Sequence, residues 1–128
     1  MIEPGLSKSV TLAVTEQHTA ISMKSGDLPV FATPAMVALM EQAAMEAVMP
    51  ILPEGATTVG CMIESTHLAP SAIGSEVTAT AVLESVEGKK LLFKVEVKEG
   101  EKLLGSGKHV RIIVDRCKFM ERLSSQPE

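Results

Sequence analysis

The sequence predicts an α+β domain in which an antiparallel sheet of about five strands wraps around one central helix. Three observations predict it. Only one long segment has the composition of a helix; most of the remaining apolar residues fall in alternating runs joined by short glycine turns; and the helix is apolar almost all the way round. A helix lying flat on an open sheet needs a polar outer face, and here only Gln42 and Glu46 can supply one. The helix must therefore be covered on most sides, by the curling sheet and by a second subunit. The chain of 128 residues fits one domain over 1–128, long enough to bury a core without disulfides or metals.

Residues 8–17 alternate, with Val10, Leu12 and Val14 on one face, as a half-buried strand does. Residues 18–30 carry Ser25-Gly26-Asp27 and Pro29 and read as a loop. Thr33 can cap the helix that follows, with Pro34 at its first position, where a missing N–H costs nothing. The run from Ala35 to Met49 is rich in Ala, Met and Leu, all good helix formers, and Pro50, Pro53 and Gly55 end it. Met36, Met40, Met45 and Met49 are expected in the core. Residues 57–68 form a rather buried strand, broken by Pro70 and Gly74. Residues 75–86 place Val77, Ala79, Ala81 and Leu83 on one face. A turn at Glu87-Gly88 leads to residues 90–98, with Leu91, Phe93, Val95 and Val97 inward. A second turn at Glu99-Gly100 leads to residues 103–115, which end in the β-forming run Val110 to Val114. From Arg116 the chain reads as a short helical turn that frays.

Composition narrows the function. The net charge is −4, Trp and Tyr are absent and there are three Phe, so nothing resembles a basic groove with stacking aromatics, and no nucleic-acid partner is expected. Glu41 and Glu46 interrupt the longest apolar stretch, so no membrane span is expected. The N-terminus lacks a basic cluster followed by an apolar run, so no secretory signal is read. Cys61 and Cys117 lie far apart with no metal-ligand spacing, which points to a reducing cytoplasm and no metal. No phosphate-cradling glycine loop is present, and no cofactor is expected.

Glu41 does not fit its surroundings. On a helical wheel Val48, Pro34, Val37, Met45, Ala38 and Ala44 all fall within about 60° of it. A carboxylate in an apolar stripe must be paired, protonated or in contact with a polar cavity. One reading is a base or nucleophile with a raised pKa; the other is a carboxylate that bonds across a subunit interface. His67 closes Glu64-Ser65-Thr66-His67, where strand gives way to loop, a common place for a working side chain. His109, beside Lys108 and Arg111, reads as a surface or interface residue. Thr33 and Glu41 lie about 12 Å apart along a helix axis, so they bracket a substrate or serve one site from two subunits.

The run Val30-Phe31-Ala32-Thr33-Pro34-Ala35-Met36-Val37-Ala38-Leu39-Met40-Glu41, with Gly60 and Thr66-His67 after it, closely resembles the fluoroacetyl-CoA thioesterase family of hotdog proteins. Ser85-Val86-Glu87-Gly88-Lys89-Lys90 and Gly105-Ser106-Gly107-Lys108-His109 look like that family too, so the similarity covers residues 8 to 119. The resemblance implies a hotdog homodimer, or a higher homo-oligomer, that hydrolyses a short acyl-CoA thioester. It implies that Glu41 activates water or attacks the carbonyl itself, that His67 orients or exchanges protons with the water, and that Thr33 positions the carboxylate or the carbonyl. Gly60 stands at the family's pocket glycine and is expected to line the acyl site. Lys89, Lys90, Lys108 and Arg111 offer cations for the phosphates of coenzyme A, or are solvated charges. Fluoroacetyl-specific members carry an aromatic-rich lid before the helix; Met23 to Pro29 contains no aromatic residue, so a more general small-acyl substrate is expected.

Two other functions fit the same fold. One is a hotdog dimer that only binds an acyl-CoA; the set of Thr33, Glu41 and His67 weighs against it. The other is a hydratase or dehydratase, whose Asp/His or Glu/His pattern around the helix is not found here.

Overall fold

A computed structural model describes residues 2–125. Five strands form one antiparallel sheet: β1 (Ser7–Ala13), β2 (Ala56–His67), β3 (Glu76–Glu87), β4 (Lys90–Glu99) and β5 (Lys102–Asp115), in the order β1-β3-β4-β5-β2. The helix α1 (Thr33–Val48) packs chiefly against β3 and β1, and a second helix, α2 (Arg116–Ser125), follows β5. The expected order of one central helix and five strands is therefore found.

The alternation read in the sequence fixes which face of the sheet meets α1. Val77, Ala79, Ala81 and Leu83 of β3 and Leu91, Phe93, Val95 and Val97 of β4 are all essentially inaccessible to solvent. Each large side chain buried this way stabilises the fold by about 1.5–3 kcal/mol. From the helix they meet Met36, Leu39, Met40, Ala43 and Ala44. Gly88 and Gly100, both with φ of 60°, supply the left-handed residue that each tight hairpin turn requires.

Several expectations change in detail. β1 stops at Ala13, and the chain then makes a short 3-10 turn over Glu16–His18. Met36 and Met40 are core residues, whereas Met49 is 44% exposed, because α1 ends at Val48 and a 3-10 turn carries Met49 outward. β2 is far less buried than its composition implied, with Gly60, Cys61 and Met62 exposed, because it forms one edge of the sheet. The segment from Arg116 is a ten-residue helix with no buried side chain; the Asp115 carboxylate accepts the Lys118 backbone N–H at 2.9 Å and starts it. Among the described residues no helix is long and apolar enough to cross a membrane.

The helix leaves one flank open. Pro34, Ala38 and Gln42 are exposed and Val37, Glu41 and Met45 are partly exposed, so the sheet of one chain covers only part of α1.

Candidate active site

The entry to α1 is held from both sides. The Phe31 N–H donates to the Ser71 carbonyl at 2.9 Å and the Ala32 N–H to the His18 carbonyl at 2.8 Å. Ala32, with extended backbone (φ −77°, ψ 144°), is the N-cap, and Thr33 is already the first helical residue. The expectation that Thr33 caps the helix is therefore not met. A side chain at the N-cap, one residue earlier, is the one placed to accept the orphan N–H of the second or third helical residue. The Thr33 hydroxyl reaches across instead, and its Oγ1 lies 2.7 Å from His67 Nδ1, at the end of β2.

His67 is packed edge-on against Phe31, ring centroids 6.3 Å apart. Its Nε2 is buried and has no hydrogen-bond partner among the described residues. Burial pulls the imidazole pKa below its ordinary value; the Ala69 backbone offsets this only in part. The ring is thus neutral near pH 7, a form able to accept or pass on a proton. A cavity of about 300 Å³ opens beside the pair, lined by Ser25, Val30, Phe31, Thr33, His67 and Leu68, among others.

Glu41 belongs to a second cluster, two turns along α1. Its Oε2 lies 3.9 Å from Arg111 Nη1, an ion pair outside hydrogen-bonding distance. Of the three states that the apolar stripe allowed for this carboxylate, paired, protonated or facing a polar cavity, β5 supplies the partner for the first. Gly60 of β2 stands against it: a Cβ there would lie 2.9 Å from Glu41 Oε2, 3.2 Å from a His109 ring carbon and 3.4 Å from Arg111 Nη1. Any side chain at position 60 would displace the carboxylate.

Arg111 is not the solvated charge that was one of its two readings, and within the chain it is not an exposed cation either. It is 7% exposed and points into the fold, because it faces Gly60 on one side and Leu91 on the other within the sheet. Its Nε donates to Thr58 Oγ1 at 2.8 Å and its Nη2 to the Thr58 carbonyl at 3.0 Å. Burial lowers its pKa from the ordinary value and Glu41 offsets that loss. His109, read from the sequence as a surface or interface residue, is 1% exposed within the chain. Its Nδ1 lies 2.8 Å from the Met62 carbonyl and its Nε2 3.1 Å from Arg111 Nη1. The reason is register: His109 lies opposite Phe93 of β4 and shares the core-facing side of β5 with Arg111. Thr58 and His109 are the site neighbours that sequence reasoning missed.

One chain thus brings together Thr33 with His67, and Glu41 with Gly60, Arg111 and His109. It does not bring the two groups into contact. The helix separates them by about 12 Å. Among the described residues no group of three or more His, Cys, Asp or Glu side chains could hold a metal ion.

A family model described as fluoroacetyl-CoA-specific thioesterase matches residues 14–117. The chain belongs to this family. Membership agrees with the comparisons of individual proteins. The chain is 43% identical over 90 residues to the fluoroacetyl-CoA thioesterase of Streptantibioticus cattleyicolor, a match spanning 70% of this chain and 65% of that protein. It superposes on a solved structure of a fluoroacetyl-CoA thioesterase with a TM-score of 0.91 at 33% identity, over 99% of both chains. A hypothetical protein of Thermus thermophilus, a thioesterase superfamily member, gives a TM-score of 0.88 at 30% identity over 97% of this chain and 94% of that one. A hot-dog-like protein of Thermanaerovibrio acidaminovorans, at 23% identity and a TM-score of 0.88, shares the fold over 99% of this chain and 96% of its own. The family chain described here is accordingly a hotdog protein, as the resemblance implied.

The two lowered histidines of this family member make its stability depend on pH. Burial is the first cause for both His67 and His109, and each ring starts from an ordinary value of 6.5. In the unfolded chain both bind protons at higher pH than in the folded one, so the unfolded state holds more protons once pH falls below about 6.5. Stability contributed by the neutral rings is present above that value and is lost progressively as pH falls through the depressed folded values. The expected result is a melting temperature that declines from neutrality into mild acid. Replacing His109 with Gln removes one titrating group and makes the decline shallower.

Proposed function

We propose that the protein is an acyl-CoA thioesterase that hydrolyses a small acyl-CoA thioester to the free acid and coenzyme A, without selectivity for fluoroacetyl-CoA. The observation that carries the reading is Glu41, a carboxylate in an apolar helix stripe, held against a buried arginine and faced by a glycine whose missing side chain leaves the carboxylate its place. As a base, Glu41 takes a proton from water while the water oxygen attacks the thioester carbon. As a nucleophile, it forms an acyl anhydride that water then opens. In either route the carbonyl oxygen gains charge, the C–S bond breaks, and coenzyme A leaves as a thiolate. A thiol of pKa near 8.5 needs little acid assistance to leave. Arg111 keeps one N–H on each terminal nitrogen uncommitted, available to the developing oxyanion. His67, braced by Thr33, orients the water or carries its proton.

The weak selectivity is supported by the segment before α1, where Ile21, Met23 and Leu28 are exposed and Met23 to Pro29 contains no aromatic residue. The whole chain, 1–128, is read as one hotdog domain. Free, exposed Cys61 and Cys117 suit a cytoplasmic location.

The active form is proposed to be a homodimer joined at β2. This twelve-residue edge strand exposes unpaired backbone groups, and the uncovered flank of α1 lies alongside it. Antiparallel pairing of two β2 strands about an axis near Ile63 and Glu64 sets Gly60 of one subunit close to His67 of the partner subunit. The Glu41 cluster of one chain then meets the Thr33–His67 pair of the other, and the separation seen within one chain is closed.

Loss of thioester absorbance, followed for acetyl-, propionyl-, butyryl-, phenylacetyl- and fluoroacetyl-CoA, tests the reading. Turnover of several small acyl groups at comparable kcat/KM is expected. A folded dimer that turns over none of them is instead a ligand-binding protein, and turnover confined to fluoroacetyl-CoA contradicts the proposed breadth.

A further inference from the structure

The contacts of His109 define its protonation state. A peptide carbonyl only accepts, so Nδ1, 2.8 Å from the Met62 oxygen, carries the hydrogen. A guanidinium only donates, so Nε2, 3.1 Å from Arg111 Nη1, carries the lone pair. Both conditions are met by one neutral tautomer. The Met62 carbonyl is presented to the ring at a β-bulge, where the pairing of β2 with β5 slips between Gly60 and Met62. From β4, Phe93 packs on the ring with centroids 6.4 Å apart, and the charged groups near it are Arg111 on its own strand and Glu41 on α1.

Arg111 is therefore gripped at three points, by the Thr58 hydroxyl, the Thr58 carbonyl and His109. The two Thr58 contacts hold the Nε–Nη2 edge. His109 alone holds Nη1, the atom 3.9 Å from Glu41 Oε2. We infer that His109 is a positioning residue, whose neutral ring orients the Arg111 guanidinium so that Nη1 meets Glu41 and the reacting carbonyl. A doubly protonated ring has no acceptor for Nη1 and adds a like charge beside it, so the neutral tautomer is required. This inference rests on the proposed role of Glu41 and assigns a supporting function to a residue that does not touch the substrate.

Two variants and one spectrum test it. His109→Leu keeps the apolar packing against Phe93 and removes the acceptor; His109→Gln restores an acceptor toward Nη1. The expected result is a fall in kcat of about 10- to 100-fold for His109→Leu, with KM within about 2-fold of wild type and most of kcat recovered in His109→Gln. Melting temperatures recorded alongside separate this from a packing defect. Imidazole ¹⁵N shifts of wild type near neutral pH are expected to show a protonated Nδ1 and a bare Nε2. An Nε2-protonated ring, an unchanged kcat in His109→Leu, or a Gln variant no better than Leu overturns the inference. Wild type that turns over no thioester removes the reading beneath it, and the spectrum still decides the tautomer separately.

Discussion

Glu41→Gln lowers kcat for a small acyl-CoA by about 10²- to 10⁴-fold, the contribution expected of a positioned base, with KM little changed. Gln keeps the volume of Glu and removes only the charge and the basic lone pairs. Because Gly60 leaves the side chain room, the replacement fits without moving β2. Arg111 loses its counter-charge while keeping both Thr58 contacts and His109, so a small drop in melting temperature accompanies the loss. Steady-state kinetics with thermal melts separate the two effects. A variant retaining more than about a tenth of wild-type kcat contradicts a chemical role for Glu41.

Gly107→Ala is expected to cost about 2–3 kcal/mol of folding stability, the upper part of the range of about 1–3 kcal/mol for overpacking a well-filled interior. The added Cβ would stand against the Glu64 carbonyl oxygen and 2.7 Å from Ser65 Cα. Both contacts are backbone of the paired strand β2, and Gly107 lies opposite Ser65 there and Val95 in β4. No flexible side chain can yield, so the strand pair must separate locally. Gly105 is similarly crowded, by the Thr66 carbonyl at 2.7 Å and by Met36. A fall in melting temperature on the order of 10 °C is the expected readout for Gly107→Ala. A shift of less than about 2 °C would mean that β5 and β2 are not packed this closely.

Most of the fold was legible because β3 and β4 carry apolar side chains at every second position over 77–83 and 91–97, which defines one buried face even though Val82 and Leu92 stand on the other. The position of Glu41 was legible for the same reason, since a carboxylate among Val37, Ala38, Met45 and Val48 stands out on a wheel. Its partner was not. Arg111 and His109 sit two residues apart in β5, a spacing equally consistent with a solvent-facing pair. Only pairing with Leu91 and Phe93 of β4 decides that they face the core. Thr33 has the type and position of a helix cap, and the sequence cannot tell a hydroxyl that turns back to its own backbone from one that reaches His67. The burial of β2 was overread because a strand at the sheet edge carries an apolar composition like that of an inner strand, while one of its sides meets no other strand among the described residues. The length of α2 was underread, although Asp115 was present as its cap, because none of its side chains is buried within the chain.

In the proposed dimer, Glu41 of one subunit acts with Thr33 and His67 of the partner subunit. Subunit mixing tests it directly. Glu41→Gln and His67→Gln proteins, each nearly inactive alone, are unfolded together and refolded in equal amounts. Half of the resulting dimers are mixed, and each mixed dimer regains one intact site, so activity is expected to recover to about a quarter of that of wild type treated in the same way. If the mixture stays as inactive as its parents while mixed dimers are demonstrably present, the three residues act within one chain and the shared site is wrong.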